Sequence, residues 1–187
     1  MGAAGKVRII GGEWRGRRLA VADHPGLRPT PDRIRETLFN WLAEIIPGSR
    51  CLDLFAGTGA LGFEALSRGA RCAVLVEKNK QLARKLEDTR TALDARGAEV
   101  VNADAVTWLA SSHEPFDVVF LDPPFHQDFV KNTCALLTNR GHLAPAAYVY
   151  TETEPGVPSR VPGLTALKQA RAGQVEYRLY QCLVGER

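Results

Sequence analysis

The sequence predicts an α/β fold, with a mostly parallel β-sheet packed against helices and a small β-hairpin ahead of it. From residue 51 onward, short apolar runs alternate with segments of helical periodicity, which is typical of βαβ units. A glycine-rich loop joins the first apolar run to the first helix. We therefore expect a basic hairpin extension over residues 1–28 and one larger domain over residues 29–187.

Seven apolar runs of the larger domain are predicted strands. The last two, joined through Gly173, form an antiparallel pair at one edge of the sheet. The predicted strands are 51–55, 73–77, 98–102, 116–121, 147–152, 165–170 and 175–184. The predicted helices that follow them are 59–68, 80–96, 105–110 and 127–138.

A further helix is predicted between the hairpin and the first of these strands. Apolar residues recur at helical spacing from Ile34 to Ile45, which indicates a helix ending near Pro47. Thr30 is placed to cap its N-terminus, and Pro31 is placed at the first helical position, where a missing N–H costs nothing.

Composition excludes several classes of protein. With 187 residues, 45% of them hydrophobic and 24% charged, the chain has the make-up of a globular domain with a real core. Its apolar runs fall far short of the ~20 residues of a membrane helix, and residues 1–6 lack a signal core, so we expect a cytoplasmic protein. The four cysteines and four histidines are scattered without metal-ligand spacing, so we expect no metal site.

Positive charge is concentrated at the start of the chain. Residues 1–50 hold nine Lys and Arg against five Asp and Glu, a net +4, whereas the remaining residues hold fifteen against sixteen, a net −1. The basic stretch lies between two short apolar runs, 7–10 and 18–21, that predict the hairpin. Such an appendage on a near-neutral body suits a polyanion, because neutralised phosphates release counterions.

A glycine loop predicts a nucleotide-type site. Residues 53–62 (DLFAGTGALG) follow a predicted strand and open a helix, and Gly57, Gly59 and Gly62 satisfy the G-x-G-x-x-G pattern of Rossmann-like folds. Glu77, 18 residues past Gly59 and at the end of the next strand, is placed to accept both ribose hydroxyls. On these two features alone, a nicotinamide or flavin enzyme fits equally well.

Asp53 separates the alternatives. A carboxylate four residues before the first glycine would oppose a pyrophosphate, but it would favour a sulfonium ligand with an α-amino group. We therefore predict S-adenosylmethionine as the cofactor, with Asp104 placed to take the adenine amino group. The predicted cofactor-binding set is Asp53, Phe55, Ala56, Gly57, Gly59, Glu77, Lys78, Asp104 and Ala105.

The tetrapeptide Asp122-Pro123-Pro124-Phe125 closes the fourth strand and predicts the catalytic loop. An exocyclic base amine is a poor nucleophile because its lone pair is delocalised into the ring. If the Asp122 carboxylate and the Pro123 carbonyl each accept one N–H, the nitrogen lone pair turns toward the methyl group. Pro124 with Pro123 stiffens the loop, and Phe125 can stack on an extruded base.

With both motifs placed, the chain resembles Rossmann-like class I amino-methyltransferases, and among them the bacterial family that methylates the 2-amino group of a guanine in small-subunit (16S) ribosomal RNA. The resemblance covers nearly the whole chain. It rests on residues 8–12 (RIIGG), 14–17 (WRGR), 27–36 (LRPTPDRIRE), 53–62, 122–125 and 173–180. The two N-terminal motifs are the specific ones, since the glycine loop and residues 122–125 also occur in adenine-methylating DNA enzymes.

The resemblance implies a seven-stranded sheet with an antiparallel last strand and a hairpin that touches RNA. It implies ribosomal RNA as the partner, within the small ribosomal subunit, and a monomeric enzyme that releases S-adenosylhomocysteine. The residues it places against RNA or along the route to the active site are Arg8, Trp14, Arg15, Arg17, Arg18, Arg28, Thr30, Arg33 and Arg35. The alternatives that we keep open are a DNA adenine methyltransferase, a nicotinamide-dependent oxidoreductase and a catalytically silent RNA-binding module.

Overall fold

A computed structural model describes residues 7–19, 30–111, 113–123 and 129–182. Within them the chain forms a two-stranded sheet, a seven-stranded sheet and five helices. The strands are β1 (Val7–Arg8), β2 (Arg18–Leu19), β3 (Arg50–Asp53), β4 (Cys72–Val76), β5 (Ala98–Val101), β6 (Phe116–Leu121), β7 (Leu143–Thr153), β8 (Leu164–Ala172) and β9 (Val175–Cys182). The helices are α1 (Asp32–Trp41), α2 (Ala60–Ser67), α3 (Lys80–Ala92), α4 (Ala105–Leu109) and α5 (Phe129–Asn139).

The large sheet has the strand order β5-β4-β3-β6-β7-β9-β8. Strands β3 to β7 run parallel, and β9 runs antiparallel to both of its neighbours. The predicted seven-stranded sheet and its antiparallel edge pair are confirmed. From β3 the chain first builds toward β5 and then returns to build β6 on the other side. The carboxyl ends of β3 and β6 therefore flank a switch point, the usual ligand crevice of open α/β sheets.

The boundaries of two predicted helices are wrong. The predicted helix to Pro47 ends as α1 at Trp41, and turns follow. Leu42 and Ile46 in those turns are still buried, so the apolar spacing outlasts the helix itself. The predicted helix to Arg96 ends as α3 at Ala92, because Asp94 takes a left-handed conformation with φ 49°.

Hydrophobic residues pack on both faces of the sheet. One cluster joins the sheet to α1, α2 and α3 through residues such as Leu38, Phe63 and Leu86, and the other joins it to α4 and α5 through Leu109 and Leu137. No helix among the described residues combines the length and the apolar content needed to cross a bilayer.

The predicted N-terminal hairpin is present as the short β1–β2 pair, in which Val7 faces Leu19. Its apolar side chains, including that of Ile9, are buried in the first core cluster. The loop between the strands rests on α2, where the buried Glu64 carboxylate accepts the backbone N–H groups of Ile10 and Gly11, each at 2.8 Å. The extension is therefore packed as part of the same hydrophobic core.

A candidate active site at the carboxyl ends of β3, β4 and β6

The carboxyl ends of adjacent parallel strands bring the predicted cofactor and catalytic residues to one edge of the sheet. Asp53 ends β3, and Asp122 directly follows β6. In the register of these two strands Asp53 pairs with Phe120. Since Asp122 lies two residues beyond Phe120, the sheet alone places both carboxylates on the same face of the sheet, at the switch point.

The glycine loop turns sharply from β3 into α2. Gly57 and Gly59 have φ values of 51° and 75°, which L side chains rarely adopt. Gly62 is needed for a different reason, because a Cβ atom there would lie 2.9 Å from Cγ of Leu75 on β4. Its glycine lets α2 approach the sheet, and its N–H donates to Asp53 Oδ2 at 2.9 Å.

The Asp53 carboxyl group is shielded from solvent. Its side chain is buried, and no salt bridge among the described residues reaches it. Burial raises the pKa of Asp53 to about 7, the Gly62 N–H opposes that rise, and the negative charge of Glu77 adds to it. A cation brought beside Asp53 would offset this unfavourable burial of charge.

Glu77 shapes the glycine loop from the end of β4. Its Oε2 accepts the N–H of Gly57 at 2.9 Å, and its Oε1 accepts the N–H of Asn79 at 2.7 Å. The structure therefore places Glu77 beside the glycine loop, and its role toward the ribose hydroxyls stays a prediction. Each carboxylate oxygen also has a further lone pair that a ribose hydroxyl can use.

Asp104 caps a helix. Its Oδ1 accepts the N–H groups of Val106 and Thr107 at 3.1 and 3.2 Å, and its Oδ2 pairs with Lys78 Nζ at 3.0 Å. The hydrogen bond from Lys78 is the main cause that lowers the pKa of Asp104. The role of Asp104 toward adenine and that of Lys78 in cofactor binding stay predictions, whereas the cap and the ion pair are observed.

The other predicted cofactor residues line the same edge of the sheet. The N–H of Ala56 donates to Val76 O at 3.0 Å, which ties the glycine loop to β4. Half-buried Phe55 lies with its ring centroid 5.9 Å from that of Phe129 on α5. Ala105 is buried in the second core cluster at the start of α4.

Asp122 is half-buried at the predicted catalytic position. Burial raises its pKa well above the ordinary value, and the negative charges of Glu152 and Asp53 raise it further, while a hydrogen bond from Thr30 opposes the rise. Pro123 beside it is buried. Pro124 and Phe125 lie outside the described residues, so their predicted roles stay predictions.

A carboxyl group that the sequence interpretation missed, that of Glu152, lies next to Asp122. The Thr30 hydroxyl lies 3.3 Å from Asp122 Oδ2 and 2.9 Å from Glu152 Oε1, and Tyr150 OH donates to that same Glu152 oxygen at 2.9 Å. Glu152 lies near the end of β7, the parallel neighbour of β6. The sequence did carry a signal for Glu152, because Glu152 lies at the carboxyl end of a predicted strand. Asp53 and Asp122 were identified by that same position.

The prediction that Thr30 caps α1 is wrong. The cap position is Pro31, and no side-chain hydrogen bond caps the helix. The hydroxyl of Thr30 is directed to the two carboxyl groups instead, since a buried carboxyl group without a donor costs more than an uncapped helix end.

The predicted RNA-contacting residues divide by exposure. Arg8, Arg15, Arg17, Arg18 and Arg33 are exposed, and Trp14 is half-buried. Two of these arginines also have partners within the protein: Arg8 pairs with Asp32 at 2.9 Å, and Arg17 donates to Ala92 O at 2.9 Å. Arg28 lies outside the described residues.

Arg35 does not face the surface, so its predicted contact with RNA is wrong. Its side chain is fully buried and forms ion pairs with Asp32 at 2.6 Å and with Glu64 at 3.5 Å. It also donates to the carbonyl oxygens of Arg8 and Thr30. Arg35 therefore joins the hairpin, α1 and α2 from inside the core.

Comparison with known proteins identifies the family. The family described as "Conserved hypothetical protein 95" matches residues 7–181. The chain belongs to this family. Among curated relatives it is similar to "Ribosomal RNA small subunit methyltransferase D" of Escherichia coli K12, with 49% identity over 95% of this chain and 91% of the relative. The protein of the same name from Haemophilus influenzae is 48% identical, over 96% of this chain and 95% of the relative.

A solved structure agrees with the fold. An Escherichia coli protein described as a candidate methyltransferase shares 48% identity and a TM-score of 0.89, covering 97% of this chain and all of that one. The predicted family and the predicted Rossmann-like methyltransferase fold are thus confirmed.

Proposed function

We propose that this protein transfers a methyl group from S-adenosylmethionine to the exocyclic 2-amino group of a guanine in the 16S RNA of the small ribosomal subunit. The observation that carries the proposal is the adjacency of Asp53 and Asp122, two buried or half-buried acids at neighbouring strand ends, which no salt bridge among the described residues reaches. One suits a cationic donor, and the other suits an amine.

The cofactor fits the groups that this edge of the sheet offers. S-adenosylmethionine supplies an electrophilic methyl group on a positively charged sulfur. Asp53 is positioned to favour that charge and the α-amino group, and Glu77 to accept the ribose hydroxyls. A dinucleotide pyrophosphate would instead meet two carboxylates, which argues against the oxidoreductase alternative.

The loop after β6 is proposed to prepare the amine. The Asp122 carboxylate and the Pro123 carbonyl would each accept one N–H, which draws the nitrogen toward tetrahedral geometry and aims its lone pair. Pro124 would hold the carbonyl in place, and Phe125 would stack on the base taken out of its helix or loop. Orientation of the amine and electrostatic stabilisation would raise the rate of methyl transfer, and no covalent enzyme intermediate is needed.

Ribosomal RNA as the substrate is supported by the names of the close relatives and by the exposed arginines of the N-terminal segment. Arg15, Arg18 and Arg33 are exposed and can contact phosphates, while the half-buried Trp14 is a candidate for stacking on a base. We further propose that the protein acts as a monomer in the cytoplasm, on RNA within the assembling or assembled small subunit.

Methyl-transfer assays test the substrate. Protein, labelled donor and one of three acceptors are incubated: small ribosomal subunits, deproteinised 16S RNA, or duplex DNA. The labelled product is then digested to nucleosides for mass analysis. We expect N2-methylguanosine from one of the RNA acceptors. N6-methyladenine in the DNA, with no label in RNA, would overturn the proposal in favour of a DNA enzyme.

A further inference from the structure

A second carboxyl group, that of Glu152, lies next to the proposed catalytic carboxyl group of Asp122. Glu152 is 3% exposed, and its Oε1 accepts hydrogen bonds from Tyr150 OH and from the Thr30 hydroxyl, each at 2.9 Å. The same Thr30 oxygen lies 3.3 Å from Asp122 Oδ2. A single hydroxyl thus spans the two acids, one of which faces the proposed substrate.

The hydrogen-bond count favours a shared proton. Thr30 has one O–H, so it can donate to only one of the two carboxyl groups at a time. When Thr30 donates to Glu152, the contact with Asp122 is a hydrogen bond only if Asp122 Oδ2 carries a proton. The Thr30 hydroxyl can therefore pass a proton between the two acids, and the proton can lie on Asp122 or on Glu152.

The surroundings oppose two full negative charges. The titratable groups around the pair are themselves acidic: Asp53 on β3, Tyr150 on β7, and Tyr177, which pairs with Glu152 across β7 and β9. Among the described residues no salt bridge reaches Asp122 or Glu152. Burial raises the pKa of Glu152 as well as that of Asp122.

Building on the proposed function, we propose that Thr30 and Glu152 are positioning residues that orient Asp122 and receive, through the Thr30 hydroxyl, the proton that the base amine loses. In methyl transfer the nitrogen lone pair becomes the new N–C bond, and sulfur keeps the electron pair of the broken S–C bond. The nitrogen is then cationic and must lose one proton.

Each step of the proton transfer balances within this chain of groups. When the cationic donor binds, the pair releases its shared proton, so both acids are ionised before transfer. The N–H bond then breaks toward Asp122, and the nitrogen regains its lone pair. Asp122 Oδ2 then passes a proton to Thr30 Oγ1, as the hydroxyl proton of Thr30 moves to Glu152 Oε1. The net result is a neutral methylated amine, an ionised Asp122 and a protonated Glu152.

Thr30 is held in place from its other side. Arg35 Nε donates to the Thr30 carbonyl oxygen at 3.2 Å, and the fully buried Arg35 is itself fixed by Asp32 and Glu64. The backbone of Thr30 is therefore tied to the core while its hydroxyl bridges the acids. This arrangement gives the buried arginine a function that an RNA contact would not explain.

The Glu152→Gln variant tests the pair by its pH profile. Glutamine keeps the shape and the acceptor oxygen but holds no transferable proton. We expect the single-turnover rate on RNA to fall about tenfold or more. We also expect its pH midpoint to move down, because the charge that raises the pKa of Asp122 has gone. A lower rate with an unmoved midpoint would indicate a merely structural role and overturn the proposal.

A matched pair of variants tests the bridge. Thr30→Val removes the hydroxyl at nearly constant volume, whereas Thr30→Ser keeps it. We expect Thr30→Val to lose rate as Glu152→Gln does and Thr30→Ser to stay within a fewfold of wild type, both with wild-type affinity for S-adenosylhomocysteine. Equal rates for the two variants would overturn the proposed proton transfer through the Thr30 hydroxyl.

A proton count needs no RNA and separates this inference from the proposed function. S-adenosylmethionine is titrated calorimetrically at pH 7 in two buffers of different ionisation enthalpy. We expect wild-type protein to release protons as the cation binds, and Glu152→Gln to release fewer. Equal counts would overturn the inference. If wild type and Glu152→Gln release different numbers of protons but the protein methylates no RNA, the shared-proton pair is supported. Only the proposed function is then overturned.

Discussion

Gly12 lies so close to Ser67 that a Cβ atom on residue 12 would stand 1.7 Å from the Ser67 carbonyl oxygen. The contact joins the N-terminal segment to the end of α2, where Glu13 N–H also donates to Ser67 O at 2.8 Å. The extension is thereby fixed on the domain that carries the candidate active site.

Substituting Gly12 should detach the loop. In Gly12→Ala the methyl group cannot be accommodated, so we expect weaker RNA binding and a lower melting temperature, with affinity for S-adenosylhomocysteine retained. Gly16→Ala is the matched control, since Gly16 also has positive φ (83°) but no atom within 4 Å of its would-be Cβ. The control should lose only about 1 kcal/mol of stability from backbone strain. Equal losses from the two variants would contradict a packing role.

Removing Glu64 should destabilise the whole protein. Its fully buried carboxylate accepts from Ile10, Gly11 and Arg68, and it is an ionic partner of the buried Arg35. Glu64→Ala leaves that arginine without this partner, which typically costs about 3–5 kcal/mol. Urea denaturation measures the change. The exposed Glu44→Ala serves as control and should change the unfolding free energy by less than about 0.5 kcal/mol.

Sequence patterns predicted the parallel strands and the site residues that follow them, because both depend on local signals. Asp53 and Asp122 each end a buried apolar run, and parallel strands align such ends. The end of α1 was not predictable from apolar periodicity, since buried turns at Leu42 and Ile46 preserve the same spacing as a helix.

Arg35 and Thr30 show what a sequence alone does not reveal. Both lie in a basic, proline-containing stretch, and their interior partners Glu64 and Glu152 come from α2 and β7, far along the chain. Only the three-dimensional arrangement shows which arginine of the stretch turns inward. The position of Glu152 at a strand end was a usable signal, but its pairing with Thr30 was not.

Exposed arginines of the N-terminal segment should set the salt dependence of RNA binding. Arg15→Ala is expected to lower affinity for RNA of any sequence and to reduce the slope of log affinity against log salt by about one. Filter binding between about 50 and 200 mM salt measures this slope. Arg171→Ala is the control, because Arg171 is an exposed arginine of β8, an edge strand of the large sheet, and donates to Gly173 O. An equal slope change in that control would argue against a specific basic surface.

Asp122→Asn should separate chemistry from cofactor binding. Asparagine keeps one acceptor oxygen but loses the charge that polarises the amine, so we expect turnover to fall about 100-fold or more, within the range for lost electrostatic stabilisation. Affinity for S-adenosylhomocysteine, measured by calorimetry, should change less than about threefold, because Asp122 faces the amine. The exposed Asp88→Asn is the control. Wild-type turnover in Asp122→Asn would refute the proposed role of the Asp122 carboxylate toward the amine.

The charge state of Asp53 should make donor binding depend on pH. Its pKa is raised from the usual 3.8 to about 7, so the group is neutral below that pH and ionised above it. A cationic donor binds the ionised form better, and affinity for S-adenosylmethionine should therefore rise from pH 6 to pH 8. S-adenosylhomocysteine carries no sulfonium charge and should show a weaker rise over the same range. In Asp53→Asn the difference between the two ligands should shrink, because the ionisable partner of the sulfonium is gone. Parallel pH profiles for both ligands in wild-type protein would show that Asp53 does not sense that charge.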